Sequence, residues 1–363
     1  MRSLRIALSL VVLTLICVGI VMVYSASSIY SLDRYDDSMF FLKRQLVFVF
    51  IGFILTFLSM AIDYRRLKQV SKPLLLASLA LLVLVLVPGL GRQVAGARRW
   101  FRFGPLSFQP SELASFAMLV YIADFLSRKK DELRNFWKGY LPPMLVMGSV
   151  ALLILMQPDL GSALAISVAV LLILFIAGVN LKYLGLILLA AIPLVYVLIF
   201  SVPYRRARIM SFLNPWADPQ GSGFQIIKSQ IALGSGKFFG LGLGHSKQKL
   251  FYLPAAHTDF IYSIIGEELG LLGTLAIVTL FILFIVKGLK IVRLTEDRFG
   301  YFLGLGIVLL ISLRAMVNMG VSIGILPTKG LPLPFISYGG SSLVMDMLAV
   351  GLLLNISRFG DYP

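Results

Sequence analysis

The chain has 363 residues; 58% are hydrophobic and only 14% charged, against about 25% charged in an ordinary soluble domain. So few charges cannot solvate this much apolar chain, which excludes a soluble globular protein and a disordered one; runs of about twenty continuous apolar residues also exclude an outer-membrane barrel of alternating strands. Lys and Arg outnumber Asp and Glu 33 to 17, a net +16, which in an apolar chain reads as loop charge that sets topology and meets anionic lipid rather than as a nucleic-acid surface.

The fold class that remains is an all-α polytopic membrane protein. Ten apolar segments follow in order, at roughly 6–25, 45–62, 73–91, 112–127, 141–157, 160–179, 183–202, 260–286, 300–321 and 341–357. The first follows Arg2 and Arg5, but its run is too long for a cleavable signal core, so it reads as an uncleaved span. An even number of spans puts both termini on one side. With that side inside, short internal loops hold Arg65, Arg66, Lys68 and Lys72, then Arg128, Lys129, Lys130, Arg134 and Lys138, then Lys287, Lys290, Arg293 and Arg298. Setting the long 203–259 loop aside, 17 basic residues lie inside against 8 outside, which predicts N-in, C-in. The chain reads as one integral membrane domain over 1–363, with short amphipathic helices expected around 222–233 of the long outer loop. No period of 20–50 residues repeats and no inverted repeat is visible, which disfavours a repeat array and the commonest transporter designs.

The single cysteine, Cys17, excludes an intramolecular disulfide, and His245 and His257 are too isolated to argue for a metal site. The outer basic residues are clustered: Arg92, Arg98, Arg99 and Arg102 share one loop, and Arg205, Arg206, Arg208, Lys228, Lys237, Lys247 and Lys249 share the other. They read either as a face touching lipid headgroups or as a cradle for a phosphate-bearing substrate. Charges at bilayer depth cost a few kcal/mol and tend to be functional; Asp124, Glu267, Glu268, Arg314 and Asp346 are of this kind. Three acids sit in turn-rich segments: Glu112 in Gln109-Pro110-Ser111-Glu112-Leu113, Asp159 in Gln157-Pro158-Asp159-Leu160-Gly161, and Asp259 in His257-Thr258-Asp259-Phe260. Each also has a plain reading, Glu112 as a first-turn acid and the two aspartates as helix caps. Glu267 and Glu268 lie about 12–13 Å further along a continuous helix, Glu267 nearer the face of Asp259. A buried Glu267 asks for a basic partner or a proton, and Arg314 is a candidate partner.

Gly234, Gly236, Gly240, Gly242 and Gly244 surround Lys237 without the spacing of a Walker loop, so they form either a flexible turn or a backbone cradle near phosphate. From Leu326 to Ser342 the chain is dense in proline and glycine, which predicts a shaped, non-helical outer segment.

Together these motifs, with Ala97-Arg98-Arg99-Trp100, Asn214-Pro215-Trp216, Gly221-Ser222-Gly223, Gln225 and Gln230–Gly236, resemble the SEDS family (shape, elongation, division and sporulation) along most of the chain. The wording of Gly240–Pro254 and Ala256–Ile261 resembles its division branch more than its elongation branch. The resemblance implies a peptidoglycan glycosyltransferase in the bacterial cytoplasmic membrane that polymerises lipid II at the outer face, at the division septum. It implies a class B penicillin-binding transpeptidase and other division-complex membrane proteins as partners, and an essential aspartate at Asp259. A lipid II flippase and a scaffold that recruits the transpeptidase are the rival readings. This sequence departs from the family pattern at Ser107 and Ser115, where many relatives carry a base, and at Arg314, where many carry glutamine.

The chemistry fits these residues. A pyrophosphate leaving group needs charge stabilisation rather than a proton, and the attacking sugar hydroxyl needs a base. One carboxylate then suffices, unlike the usual glycosidase pair. Asp259 is assigned as the base. Arg98, Arg99, Lys237 and Lys247 are candidates for binding the pyrophosphate, and Glu112 and Asp159 for orienting that site. Glu267, Ser337 and Gly339 are assigned to support. A divalent cation, Mg or Mn, would suit the chemistry, but no metal-ligand cluster is legible.

Overall fold

Each apolar segment is helical in the structure, a computed structural model that describes every residue except 95, 96, 105, 251, 329 and 360–363. Lys329, within the last motif, therefore lies outside the described residues. The helices are α1 (Arg2–Tyr35), α2 (Phe40–Ala61), α3 (Leu67–Leu84), α4 (Pro110–Arg128), α5 (Leu141–Met156), α6 (Leu160–Ile176) and α7 (Leu181–Phe200). After them come α8 (Pro203–Leu213), α9 (Phe224–Ser235), α10 (Ile261–Arg293), α11 (Arg298–Ser322) and α12 (Gly340–Phe359). Among the described residues seven are long and apolar enough to cross a membrane: α1, α2, α3 and α5 with their preceding turns, α10, α11 and α12. Helices α6 and α7 contribute shorter apolar stretches. The chain is a multi-pass membrane protein.

Sequence explains which helices go inside. On α1, Leu8, Leu15 and Met22 recur at heptad spacing and are fully buried, while Leu10 and Val21 are exposed. In lipid no hydrophobic drive separates such faces, so small side chains and polar contacts decide the packing. Helix α4 has Ala114, Ser115, Ala117 and Ala123 on its surface, packs closely against α3 and α11, and is buried nearly all round. Helix α12, the last, lies along α2.

The bundle has two chemically distinct ends. At one, Arg5 Nη1 donates to the Ser357 carbonyl at 3.2 Å, Tyr64 N–H to Asn355 Oδ1 at 3.1 Å, and Arg298 Nε to the Leu126 carbonyl at 3.0 Å. Arg5 in the first helix and Ser357 in the last therefore lie at the same end of the bundle. The acid-bearing motifs gather at the opposite end.

Two features correct the sequence reading. Helix α3 stops at Leu84 rather than near 91. The segment after it forms a three-stranded antiparallel sheet, β1 (Arg92–Val94), β2 (Ala97–Phe103) and β3 (Leu106–Phe108), in the order β1-β2-β3. Gln93 faces Arg98 and Arg102 faces Ser107 in the register. Trp100, Phe101 and Phe103 favour strands, and Gly104, at φ +60°, makes the turn. Among the described residues the regular structure is thus helical except for this sheet.

The second feature is a break in α10 at Gly270, whose φ of 67° and ψ of −162° leave the helical region. A break at this depth frees backbone groups that lipid cannot satisfy. The glycine loop satisfies them. Leu241 and Gly242 donate to the carbonyls of Glu267 and Glu268 at 2.9 and 3.0 Å, and Leu271 donates to the Lys237 carbonyl at 2.8 Å. A Cβ on Gly240 would fall 2.1 Å from the Glu268 carbonyl oxygen, so only glycine permits this approach. The loop is thus not a free turn but a plug for the broken helix.

Candidate active site

Asp259 ends the long loop, one residue before the N-cap of α10. The backbone N–H groups of Thr258, Asp259 and Phe260 all point to the Ala255 carbonyl, at 3.1, 3.1 and 3.3 Å. Three residues hold this turn from outside. Asn318 of α11 donates to the carbonyls of Asp259 and Leu331 at 2.8 and 2.7 Å. The Ser337 hydroxyl donates to the Thr258 carbonyl and accepts from Leu333 N–H at 2.8 Å. Tyr338 N–H donates to the His257 carbonyl at 2.9 Å. The proline-rich segment is therefore a clamp on the Asp259 turn, and Ser337 is its main rivet. Gly339 follows, its carbonyl accepting the N–H of Leu343 at 2.8 Å as α12 begins.

The half-buried Asp259 carboxylate opens into a pocket lined by Arg208, Gln225, Asn318, Val321, Thr328 and Gly330, among others. A Cβ on Gly330 would sit 3.2 Å from Asp259 Oδ2, so the loop passes close over the acid. Burial pushes the Asp259 carboxyl up to about 6, against the pull of Arg208, the Thr258 hydroxyl and Arg99; Asp159 adds to the rise. Burial holds His257 down, at about 4. Arg208, on α8, donates from Nη1 to the Thr328 carbonyl at 3.0 Å.

The sheet brings in Arg99. Its Nε donates to the Gln157 carbonyl at 2.7 Å and its Nη2 to the Pro158 carbonyl. Arg98, next along β2, takes the opposite face of the strand. Asp159 caps α6, accepting from Ser162 N–H at 3.1 Å and Ser162 Oγ at 2.9 Å, and takes a longer contact from Gln109 Nε2 at 3.4 Å. It is both the cap and a charge felt at Asp259. Gln109 N–H in turn donates to Ser341 Oγ at 3.0 Å, joining three motifs at one junction.

Glu112, in the first turn of α4, is 5% exposed and pairs with Arg314 at 2.7 Å; Asp346 approaches the same guanidinium nitrogen at 3.4 Å. Arg314 is thus the partner of Glu112, not of Glu267. Glu267 instead accepts from the Ser246 hydroxyl and from the N–H groups of Lys247 and Gln248, at 2.9 and 3.3 Å for the latter two. The base in that region pairs with its neighbour: Lys249 Nζ reaches Glu268 Oε1 at 2.9 Å, and Ser25 Oγ of α1 donates to the same carboxylate at 2.7 Å. Lys237 and Lys247 present exposed side chains on this plug, and neither lines the Asp259 pocket, nor does Arg98. Arg208 and Asn318 were missed as site residues. An asparagine within an apolar span was the readable signal for one, and the Arg205–Arg208 cluster for the other.

Among the described residues no three His, Cys, Asp or Glu side chains converge as a metal site. The residues present do not form a protein-only metal cage. A divalent cation bound here would draw most ligands from phosphate oxygens and water.

These features define a polytopic membrane protein with a desolvated carboxylate among cations at the end opposite its termini. A family model described as cell cycle protein, covering FtsW, RodA and SpoVE, matches residues 5–362, and the chain belongs to that family. It is 47% identical over 348 residues to the probable peptidoglycan glycosyltransferase FtsW of Geobacter sulfurreducens (strain DL-1 / KN400), covering 96% of this chain and 93% of that one. It is 43% identical over 355 residues to stage V sporulation protein E of Bacillus subtilis (strain 168), covering 98% and 97%. Among solved structures, a chain of a peptidoglycan synthase complex studied for its coordination of polymerization and crosslinking superposes with a TM-score of 0.80 at 31% identity, covering 98% of both chains. The crystal structure of Thermus thermophilus rod shape determining protein RodA gives 0.72 at 30% identity, covering 97% and 95%.

Proposed function

We propose that the chain is a peptidoglycan glycosyltransferase of the division machinery, polymerising lipid II at the outer face of the bacterial cytoplasmic membrane, at the septum, beside a class B transpeptidase. The observation that carries this reading is Asp259: a carboxylate raised to about 6 by burial, its backbone carbonyl held by Asn318, with Arg208 and Arg99 felt nearby. A base must be ionised at working pH and still hold a proton well, and a value near 6 serves both needs. Asp259 takes the proton of the acceptor sugar 4-hydroxyl as its oxygen attacks C1 of the donor. The C1–O bond to phosphate breaks, and undecaprenyl pyrophosphate leaves as an anion. Arg208 and Arg99 stabilise that departing charge, which is worth more in a desolvated site than in water. A divalent cation, where bound, would add charge neutralisation at the phosphates. Purified protein given labelled lipid II tests the reading. Polymer that disappears in Asp259→Asn supports it; translocation of lipid II with no polymer establishes a flippase instead.

A further inference from the structure

Arg314 sits mid-helix on α11 and is 2% exposed. Its Nε meets no acceptor and lies beside a small cavity lined by Glu112, Phe116, Ile311 and Asp346. A buried ion cluster is a poor way to gain stability, because desolvation offsets most of the attraction. What it does supply is a fixed setting. Apolar helix faces in lipid repack at little cost, whereas an ion pair holds two helices in one register.

The cluster ties three elements that build the Asp259 site. Glu112 is three residues from Gln109, which bonds Ser341 at the start of α12; Asp346 lies further along α12. On α11, Asn318 is one turn beyond Arg314 and on the same face, and it is Asn318 that holds the Asp259 carbonyl. Ser115, where a base is expected from the family pattern, is buried and uses its hydroxyl on the Ser111 carbonyl at 2.8 Å. The cation that meets Glu112 therefore comes from Arg314 on α11, not from position 115 of α4.

We propose that Arg314 is a positioning residue: it supplies from α11 the cation that Glu112 needs, and so sets the turn of α11 on which Asn318 holds Asp259. The inference rests on the transferase reading above. A displacement of about 1 Å at a reacting group can cost about a hundredfold in rate, so Arg314→Gln is expected to lower kcat for lipid II polymerisation by about tenfold to a hundredfold. KM and the acid limb set by Asp259 should stay unchanged.

Arg314→Gln leaves two buried carboxylates without a cation and can fail to fold. Two further variants keep the test decisive. In Glu112→Gln/Arg314→Gln/Asp346→Asn no buried charge is orphaned, and kcat per folded molecule should still fall about tenfold or more. In Arg314→Gln/Ser115→Lys the cation returns from α4, where a lysine at i+3 reaches Glu112, and kcat should recover most of the loss. Full kcat per folded molecule in the triple variant would overturn the proposal, as would no rescue by Ser115→Lys in a folded protein. Asp259→Asn, run in parallel, separates the two levels. If the parent protein makes no polymer, the transferase reading itself fails; if Asp259→Asn polymerises normally, Asp259 is not the base and a role for Arg314 in holding it fails with it; if Asp259→Asn is dead while the triple variant keeps full kcat, only the role of Arg314 fails.

Discussion

At the scale of single residues, the site turns on one carboxylate and the charges around it. Asp259→Asn should stay folded and cut polymerisation by about 10²–10⁴, the usual worth of a positioned acid or base. The acid limb of kcat/KM against pH should lie near 6, where Asp259 ionises; His257, at about 4, cannot produce it. The raised value has a stability consequence of definite sign. Ionising Asp259 is harder in the folded protein than in the unfolded chain, so its charge opposes folding as pH rises through 6, and the cost vanishes at lower pH. Asp259→Asn should therefore melt no lower than the parent at pH 7.5, by thermal unfolding in detergent. Arg208 favours the ionised form of Asp259. In Arg208→Gln the acid limb should move upward from 6 and the apparent KM for lipid II should rise; an unmoved limb would show that Arg208 is not felt at the acid. Asp259 stood out in the sequence because its motif is distinctive. Its supports did not: Asn318 lies 59 residues away and Ser337 bonds across 79 residues from Thr258, and no local pattern reports such contacts.

At the scale of elements, α10 is the informative case. Its composition is that of an ordinary span, and Gly270 in Leu269-Gly270-Leu271 carries no local mark of a break. The glycine loop was equally opaque, because its glycines serve close approach to a distant helix rather than a turn of their own. Lys249→Met should destabilise the protein strongly, by about 3–5 kcal/mol, since it orphans the buried Glu268. Lys249→Met/Glu268→Gln should recover most of that loss. A thermal melt of both variants decides it: equal losses would mean that Lys249 contributes packing rather than charge. The sheet between α3 and α4 escaped for a different reason. Its strands run three to seven residues, and four arginines in the segment drew the reading toward charge rather than backbone pattern.

At the scale of the whole molecule, hydropathy alone located ten of the twelve α-helices among the described residues, because in lipid every backbone group must be satisfied within its own segment. The helices of the long loop are amphipathic rather than apolar, and only the second was anticipated, two residues from its place. The loop-charge argument makes a direct prediction. In a Cys17→Ser background, Lys247→Cys should react with a membrane-impermeant maleimide on intact cells, and Lys130→Cys only after the membrane is opened. Both side chains are exposed in the bundle, so reversed reactivity would invert the assigned orientation.

The clamp on Asp259 also says something about birth. Its parts come from strand β2, the start of α6, helices α8 and α11, and the segment just before α12, so the pocket cannot close before that last segment is made. Gln109 and Thr56 wait for partners, Ser341 and Met347, that emerge nearly three hundred residues after α2 enters the membrane. Until then the nascent chain carries the acid without the geometry that makes it reactive. A nonsense mutation just before α12, which removes Ser341 and Met347, should yield an inert product rather than a partly active one.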